Sequence, residues 1–304
     1  MKKTTLIYNP VAGRKPVRRE KQIRQAAEAL TSAGHDLKLA ATSGPGHATE
    51  LAREAVADGA ELIIACGGDG TVNEVLNGVV PGQATLGIFP GGTANIIGKE
   101  LHLPHHPARA ARALPRWKPR RIALGRATWT DAATGEPRSR VFISVAGVGF
   151  DAYIVHSLSW SLKMGWGVIG YCLEGVRQAM RYSYPRFRLE MDGKQREATF
   201  AVVHRTGHYA GWLPLAPTAS LFKPDFTACL FKGSGRGRYL LYGVAVVLRQ
   251  HLRLADVELV DGYKVTCNPL ESGKPVYFEL DGELVGQLPA TFEILPDALT
   301  VLVP

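Results

Sequence analysis

The first third of the chain alternates short apolar runs with amphipathic stretches. Leu6-Ile7-Tyr8, Leu37 to Thr42, Glu61 to Cys66 and Thr85 to Phe89 read as four strands, because short apolar runs bounded by Gly, Pro or Asn are the pattern of buried strands. Between them, residues 20–33 and His47 to Asp58 have helical composition, closed by Gly34 and Gly59; glycine just past the last turn is a common helix stop. Thr71-Val72-Asn73-Glu74 has capping-box spacing, so a third helix is expected to open there and run to about Val80. Strand and helix in alternation predict an α/β unit with a parallel sheet, its ligands at the carboxyl ends of the strands.

After about residue 122 the period changes. Val141 to Val145 is a strand, residues 153–181 look helical, and short strands follow at 186–191, 198–204, 226–231, 256–260, 263–267, 276–280 and 291–295. Asp192-Gly193, Asp261-Gly262 and Asp281-Gly282 separate several of them, and Asp-Gly between alternating runs is a strong hairpin indicator. One helix, about 237–250, interrupts this mostly antiparallel β region. The boundary is expected near Pro119–Gly125, after a Pro- and Arg-rich connector.

Composition narrows the class. Of 304 residues 46% are hydrophobic and 21% charged, enough for a globular core. Four cysteines lie far apart with no C-x-x-C pair, which excludes a zinc ribbon or redox dithiol and fits a reducing cytoplasm. No run approaches the roughly 18 apolar residues of a membrane span, and Pro10 and Gly13 cut the N-terminal run short of a signal peptide. The net charge of +9 favours phosphate-rich partners. Part of it clusters at Arg14, Lys15, Arg18, Arg19 and Lys21, and at Arg116, Lys118, Arg120 and Arg121. No nucleic-acid-binding signature accompanies it, so an anionic membrane surface is the expected partner, and no nucleic acid.

The chemistry concentrates in three glycine-rich loops, each following a strand: Asn9-Pro10-Val11-Ala12-Gly13, Gly67-Gly68-Asp69-Gly70-Thr71 and Pro90-Gly91-Gly92-Thr93-Ala94-Asn95. Glycine lets backbone approach a ligand, and free N–H groups at a helix start attract phosphate. Asp69 puts a negative charge where phosphate would sit, which makes sense if it holds Mg²⁺ or takes a proton. That points to phosphoryl transfer, although the same residues are also good turn formers. Asp281-Gly282-Glu283 reads first as a hairpin turn. His102, His105 and His106 have ligand-like spacing broken by Pro104, Gly233 to Gly237 fits no dinucleotide fingerprint, and Trp160, Trp166 and Tyr171 suit either a core or a lipid-facing surface.

Five segments together resemble the bacterial diacylglycerol kinase catalytic-domain family, lipid kinases related to sphingosine and ceramide kinases. They are the three loops above with Asn73-Glu74, then Gly147-Val148-Gly149-Phe150-Asp151-Ala152, then Asp281-Gly282-Glu283. The resemblance implies an α/β nucleotide-binding domain over 1–122, completed by a last strand at about 290–304. A β-sandwich lipid-substrate domain over 123–289 lies between. It implies ATP and Mg²⁺ as cofactors and a diacylglycerol-like membrane lipid as acceptor. The enzyme is then expected in the cytoplasm, peripheral at the inner membrane face, and a homodimer is a further expectation. Nucleotide contacts would fall on Asn9, Pro10, Val11, Ala12 and Gly13, on Thr42, on Gly67, Gly68, Asp69, Gly70, Thr71, Val72 and Asn73, and on Thr93. Asp69 would meet Mg²⁺ through the nucleotide. The acid/base position falls on Glu283, beside Asp281, with Asp69 as the other catalytic carboxylate. One departure stands out: where the family has Asp-Gly after Ala-Pro, with that Asp on a structural Mg²⁺, this chain has Lys223-Pro224 after Ala216-Pro217. A lysine cannot ligate Mg²⁺, so that site is expected to be absent. The alternatives are an NAD kinase-like enzyme and a non-catalytic lipid- or nucleotide-binding protein.

Overall fold

The computed structural model describes residues 2–13, 16–80, 84–157, 177–209 and 213–304. Arg14 and Lys15, and the stretch holding Trp160, Trp166 and Tyr171, lie outside them. The chain forms two units, Met1–Ala123 with Pro296–Pro304, and Leu124–Leu295.

In the first unit, β1 (Lys2–Tyr8), β2 (His35–Ala41), β3 (Leu62–Gly67) and β4 (Thr85–Pro90) form a parallel sheet in the order β2-β1-β3-β4. The helices are α1 (Pro16–Ser32), α2 (His47–Ala57), α3 (Asp69–Val79), α4 (Ile96–Glu100) and α5 (Pro107–Ala113). Every residue of β3 is buried, as expected of a central parallel strand covered on both faces. This order makes β1, β3 and β4 neighbours, so the three glycine-rich loops leave adjacent strands at one sheet edge. The chain's final strand returns here, with Val301 parallel to Leu86 of β4.

The capping box does not form. Helix α3 opens two residues early, at Asp69, with Gly68 as its cap residue. Thr71 and Glu74 therefore lie inside the helix, and Glu74 serves a neighbour: its Oε2 accepts the Ala48 N–H at 3.0 Å, in the first turn of α2. Gly46, which caps α2, has no side chain to do this.

The second unit contains β5 (Lys118–Thr130, which begins in the first unit), β6 (Pro137–Phe142), β7 (Val145–Gly149), α6 (Phe150–Ser157), β8 (Phe187–Met191), β9 (Lys194–Ala198), β10 (Phe200–His204), β11 (Phe226–Phe231), α7 (Arg236–Val247), β12 (Val257–Gly262), β13 (Lys264–Pro269), β14 (Tyr277–Leu280), β15 (Glu283–Gln287) and β16 (Ala290–Val303). Residues 119–125, where the boundary was expected, lie within β5, and the two units divide there, between Ala123 and Leu124. The first four residues of β5 are exposed and the next four buried, so the apolar pattern marks only half the strand.

Strands β12-β11-β10-β7-β14-β15 form one antiparallel sheet. The other holds β16, β13, β8 and β9, with β5 against β16 and β6. Their facing sides make a sandwich core in which Phe142 stacks on Phe226 at 5.8 Å and Phe292 meets Phe278 edge-on at 5.7 Å. Each such buried ring is worth about 2 kcal/mol over an exposed one. In β10 and β11, Ala201, Val203, Ala228 and Leu230 face this core. The alternate residues Val202, Cys229 and Phe231 pack against Tyr239 and Tyr242 of α7. A sheet buried on both faces explains why these strands read as unbroken apolar runs.

Candidate functional site

Backbone hydrogen bonds carry the ladder of the first unit into its loops. The Asn9 N–H donates to the Cys66 carbonyl at 3.1 Å, Gly91 N–H to Gly67 O at 2.7 Å and Thr42 N–H to Tyr8 O at 2.9 Å. Arg19 of α1, only 3% exposed, sits beneath: its Nη2 donates to Cys66 O at 2.7 Å and its Nε to Asn9 O at 3.4 Å. Burial pushes the Cys66 thiol up to about 11, so it is a packing group rather than a nucleophile.

The glycines of the second and third loops serve close approach. A Cβ on Gly92 would lie 2.4 Å from Gly68 Cα, and one on Gly91 would lie 2.2 Å from Arg19 Nη1. Asn95, at a left-handed φ of 49°, closes the third loop on itself through Gly92: its Oδ1 accepts the Gly92 N–H and its Nδ2 donates to Gly92 O, each at 2.8 Å. Asp69 joins the two loops, its Oδ1 accepting the Ile96 N–H at 2.7 Å.

The expected nucleotide residues divide by exposure. Asn9, Ala12, Gly13, Thr42, Gly68, Asp69 and Gly70 are half-exposed, and Pro10, Val11 and Thr93 are exposed. Gly67, Thr71, Val72 and Asn73 are buried, and Asn73 accepts from Asn77 Nδ2 at 3.1 Å. The latter group shapes the start of α3, while the former lines an edge where a helix opens and backbone N–H groups are presented, the usual setting for an anion.

In the second unit, Asp281 (φ 51°) and Gly282 (φ 86°) form the turn of the β14–β15 hairpin, both in the left-handed region that a type I′ turn requires. The Asp281 carboxylate is occupied with backbone: Oδ2 accepts Ile143 N–H at 3.0 Å, and Oδ1 accepts Ser144 and Val145 N–H at 2.8 and 3.0 Å. Asp281 thus fixes the entry to β7. Glu283 begins β15, and its Oε2 pairs with Arg140 Nη2 at 2.6 Å.

Sequence reasoning missed a buried pair of carboxyl groups. Glu279 is 1% exposed, Asp151 2%. Both reach over Gly147, where a Cβ would lie 2.1 Å from Asp151 Oδ2 and 2.7 Å from Glu279 Oε1. Glu279 accepts Gly147 N–H at 2.9 Å and Gly282 N–H at 2.5 Å, and Tyr209 O–H donates to Asp151. Burial, then the charge of Asp151, raises the Glu279 carboxyl well above the ordinary range, which favours its protonated form. Asp151 also stands in the wall of a cavity of about 640 Å³, whose other lining includes Phe150, Phe200, Phe231, Tyr239 and Val244. The only hint in the sequence was Asp151 within the Gly147–Ala152 segment; Glu279 falls in an apolar strand.

The loop after Pro217 does not suit a divalent ion. Arg205, wholly buried, donates through Nη2 to Leu221 O at 2.9 Å and through Nη1 to Asp225 O. Lys223 Nζ donates to Thr218 O at 2.8 Å. Three carbonyls of this loop thus accept from protein cations. Burial lowers the Arg205 guanidinium to about 10, which leaves it charged at neutral pH. Among the described residues no three His, Cys, Asp or Glu side chains are grouped to hold a metal, His102, His105 and His106 included.

Residues 3–127 match the diacylglycerol kinase catalytic domain, and residues 144–303 match the YegS C-terminal NAD kinase beta sandwich-like domain. The chain is 29% identical to a diacylglycerol kinase of Bacillus subtilis, over all of this chain and 97% of that one. It is 30% identical to one of Staphylococcus aureus, over all of this chain and 93% of the other. A diacylglycerol kinase structure from Bacillus anthracis superposes with a TM-score of 0.72 at 20% identity, covering 100% of this chain and 97% of that one. Yeast NADH kinase shares the fold more distantly, with a TM-score of 0.52 at 9% identity over 99% of this chain and 82% of that one. The matches run through both units and through every loop built above: the chain belongs to the diacylglycerol kinase family.

Proposed function

We propose that the protein transfers the γ-phosphate of ATP to a hydroxyl group of a diacylglycerol-like membrane lipid, acting peripherally at an anionic membrane surface. The observation that carries this reading is the cavity of about 640 Å³ in the β unit, lined by aromatic and aliphatic side chains with Asp151 as a polar group in its wall. Acyl chains suit such a lining; a dinucleotide acceptor would need polar partners for its riboses and phosphates. This favours the lipid acceptor over NAD, although NADH kinase shares the fold. Among the described residues no helix is long and apolar enough to cross a membrane; in this reading the acceptor is met at the bilayer surface.

In this reading the nucleotide phosphates meet the half-exposed backbone of the three loops, and Mg²⁺ bound with them neutralises charge that builds up in transfer. Asp69, oriented by the Ile96 N–H, is the carboxylate of that edge. Glu283 accepts the proton of the lipid hydroxyl, and Arg140 sets the orientation of its carboxylate. The test offers radiolabelled ATP with Mg²⁺ and a panel of diacylglycerol, phosphatidylglycerol, a sphingoid base, a polyprenol and NAD. Label in a lipid, and a fall of about 10²- to 10⁴-fold in Glu283→Gln, are the expected results. Label in NAD alone would replace the reading with its NAD kinase alternative, and no label in any acceptor would leave a binding protein.

A further inference from the structure

Helix α7 covers one side of the antiparallel sheet through Tyr239, Tyr242 and Ala245, all buried. Its other side is apolar as well. Leu241 is 42% exposed, Val244 56% and Leu248 62%, at the three- and four-residue spacing that puts them on one face, and Leu252 beyond the helix is 42% exposed. Exposed apolar residues grouped in this way mark an interaction surface.

Two further observations say what it meets. The segment 233–254 contains no Asp or Glu, and Arg236, Arg249 and Arg253 stand exposed at its two ends. A fourth, Arg238, is committed elsewhere, to Asp256 at 2.7 Å through its Nε. Val244 and Leu248 also line the apolar cavity, together with Leu240, Gly243 and Val247. One helix thus presents apolar side chains to solvent and, through two of the same residues, borders the cavity.

We infer that the outer face of α7 is the surface by which the protein lies on an anionic lipid bilayer. Apolar residues flanked by arginines are the pattern of a helix that rests in the interface, its apolar face among acyl chains and its cations among headgroups. A short apolar face alone binds weakly, and a second, electrostatic contribution makes the attachment stable; the arginines supply it. Docking by this face would bring the wall of the cavity against the bilayer, so that an acyl chain could pass into it without crossing water. The inference rests on the lipid-kinase reading for its purpose, but the binding itself needs no catalysis. Gly233 to Gly237, which fitted no nucleotide pattern, is the entry to this helix: Gly233 N–H donates to Tyr242 O–H at 2.8 Å.

The test is co-sedimentation of the full chain with vesicles of phosphatidylcholine alone and with 30% phosphatidylglycerol added. Two double variants are compared with the wild type, Leu241→Glu/Leu252→Glu and Arg249→Gln/Arg253→Gln. All four residues are exposed, and none lines the cavity. Circular dichroism melting confirms that each variant folds. The expected result is binding to the anionic vesicles that weakens roughly tenfold or more in each variant and fades with salt in the wild type. Phosphorylation of a short-chain acceptor dissolved as monomer should persist in both variants while that of vesicle-embedded acceptor falls. Wild-type binding left intact in both folded variants, or no binding at all, overturns the inference. So does a concentration-dependent dimer that Leu241→Glu/Leu252→Glu dissolves, since a second copy would then cover the face. If no acceptor of either kind is phosphorylated by the wild type, the kinase reading fails while the sedimentation result stands separately.

Discussion

At the scale of single residues, Asp69 combines two roles that substitution can separate. Its Oδ1 holds the Ile96 N–H, and its charge stands at the start of α3, where the nucleotide's Mg²⁺ is proposed to bind. Asp69→Asn keeps an oxygen for the hydrogen bond and removes the charge, whereas Asp69→Ala removes both. Loss of charge stabilisation in a preorganised site costs about 10²-fold or more in turnover, so both variants should fall at least that far. Only the alanine should also lose stability, by about 1 kcal/mol for the unmet N–H. Turnover with radiolabelled ATP and thermal melting read the two effects; an asparagine variant with more than about a tenth of wild-type turnover would remove Asp69 from the chemistry. Glu279 allows a pH experiment. Its folded-state pKa is raised above the unfolded value by burial and by Asp151. The protonated form is then the one the fold favours, and this contribution is complete below the ordinary Glu value of 4.5 and lost as pH rises toward the folded value. Glu279→Gln does not titrate. The stability difference, wild type minus variant, should therefore decrease steadily from pH 5 to pH 8 in urea unfolding. Parallel curves would show that burial and Asp151 do not raise the Glu279 carboxyl.

At the scale of elements, what the sequence showed depended on whether a pattern was local. The first four strands and the glycine loops after them were legible because each is a run bounded by turn formers. The α/β class followed from the alternation of strand and helix and the antiparallel β region from the change of period near residue 122, while the sandwich came from the resemblance. Half of β5 was invisible because its outer residues are charged and exposed, and the capping box misled because Glu74 caps another helix. Of the site, Asp69 and Glu283 were legible as motif residues. The Asp151–Glu279 pair was not, because its partners are 128 positions apart and one looks like a strand interruption. The loop 215–225 shows how a local departure acquires meaning only from a distant residue. Lys223 stands where the resemblance implies a metal ligand, but Arg205, which bonds the carbonyls of Leu221 and Asp225, was unremarkable in sequence. A guanidinium in that position should make the loop independent of divalent ions. Chelation with EDTA, without nucleotide, should leave the melting temperature unchanged. Arg205→Met should lower stability by about 2 kcal/mol or more, since two carbonyls lose a charged donor. A melting temperature that falls with EDTA and recovers with Mg²⁺ would show that an ion is held there after all.

At the scale of the whole molecule, the two units divide the proposed work, nucleotide to the parallel sheet edge and acceptor to the cavity of the β unit, and kinetics can expose that division. Gly243 offers the means. It lies in the middle of α7 and lines the cavity, yet a Cβ placed on it meets nothing within 4 Å. Glycine inside a helix costs about 1 kcal/mol relative to alanine, so Gly243→Ala should raise stability by an amount of that order. Gly243→Phe should fold equally well, because the open space admits the first atoms of the ring and the helix gains a better former than glycine. Its ring would occupy volume that the reading assigns to an acyl chain. The KM for a long-chain diacylglycerol in mixed micelles should then rise about tenfold, since losing one or two kcal/mol of apolar contact has that effect. The KM for ATP should not move, and an acceptor with two-carbon chains should be affected least. A variant that melts at or above the wild-type temperature and shows this split would place the acyl chain beside α7. Equal rises in both KM values, or none in either, would remove the cavity from the acceptor's path and leave the lipid reading without the observation that carries it.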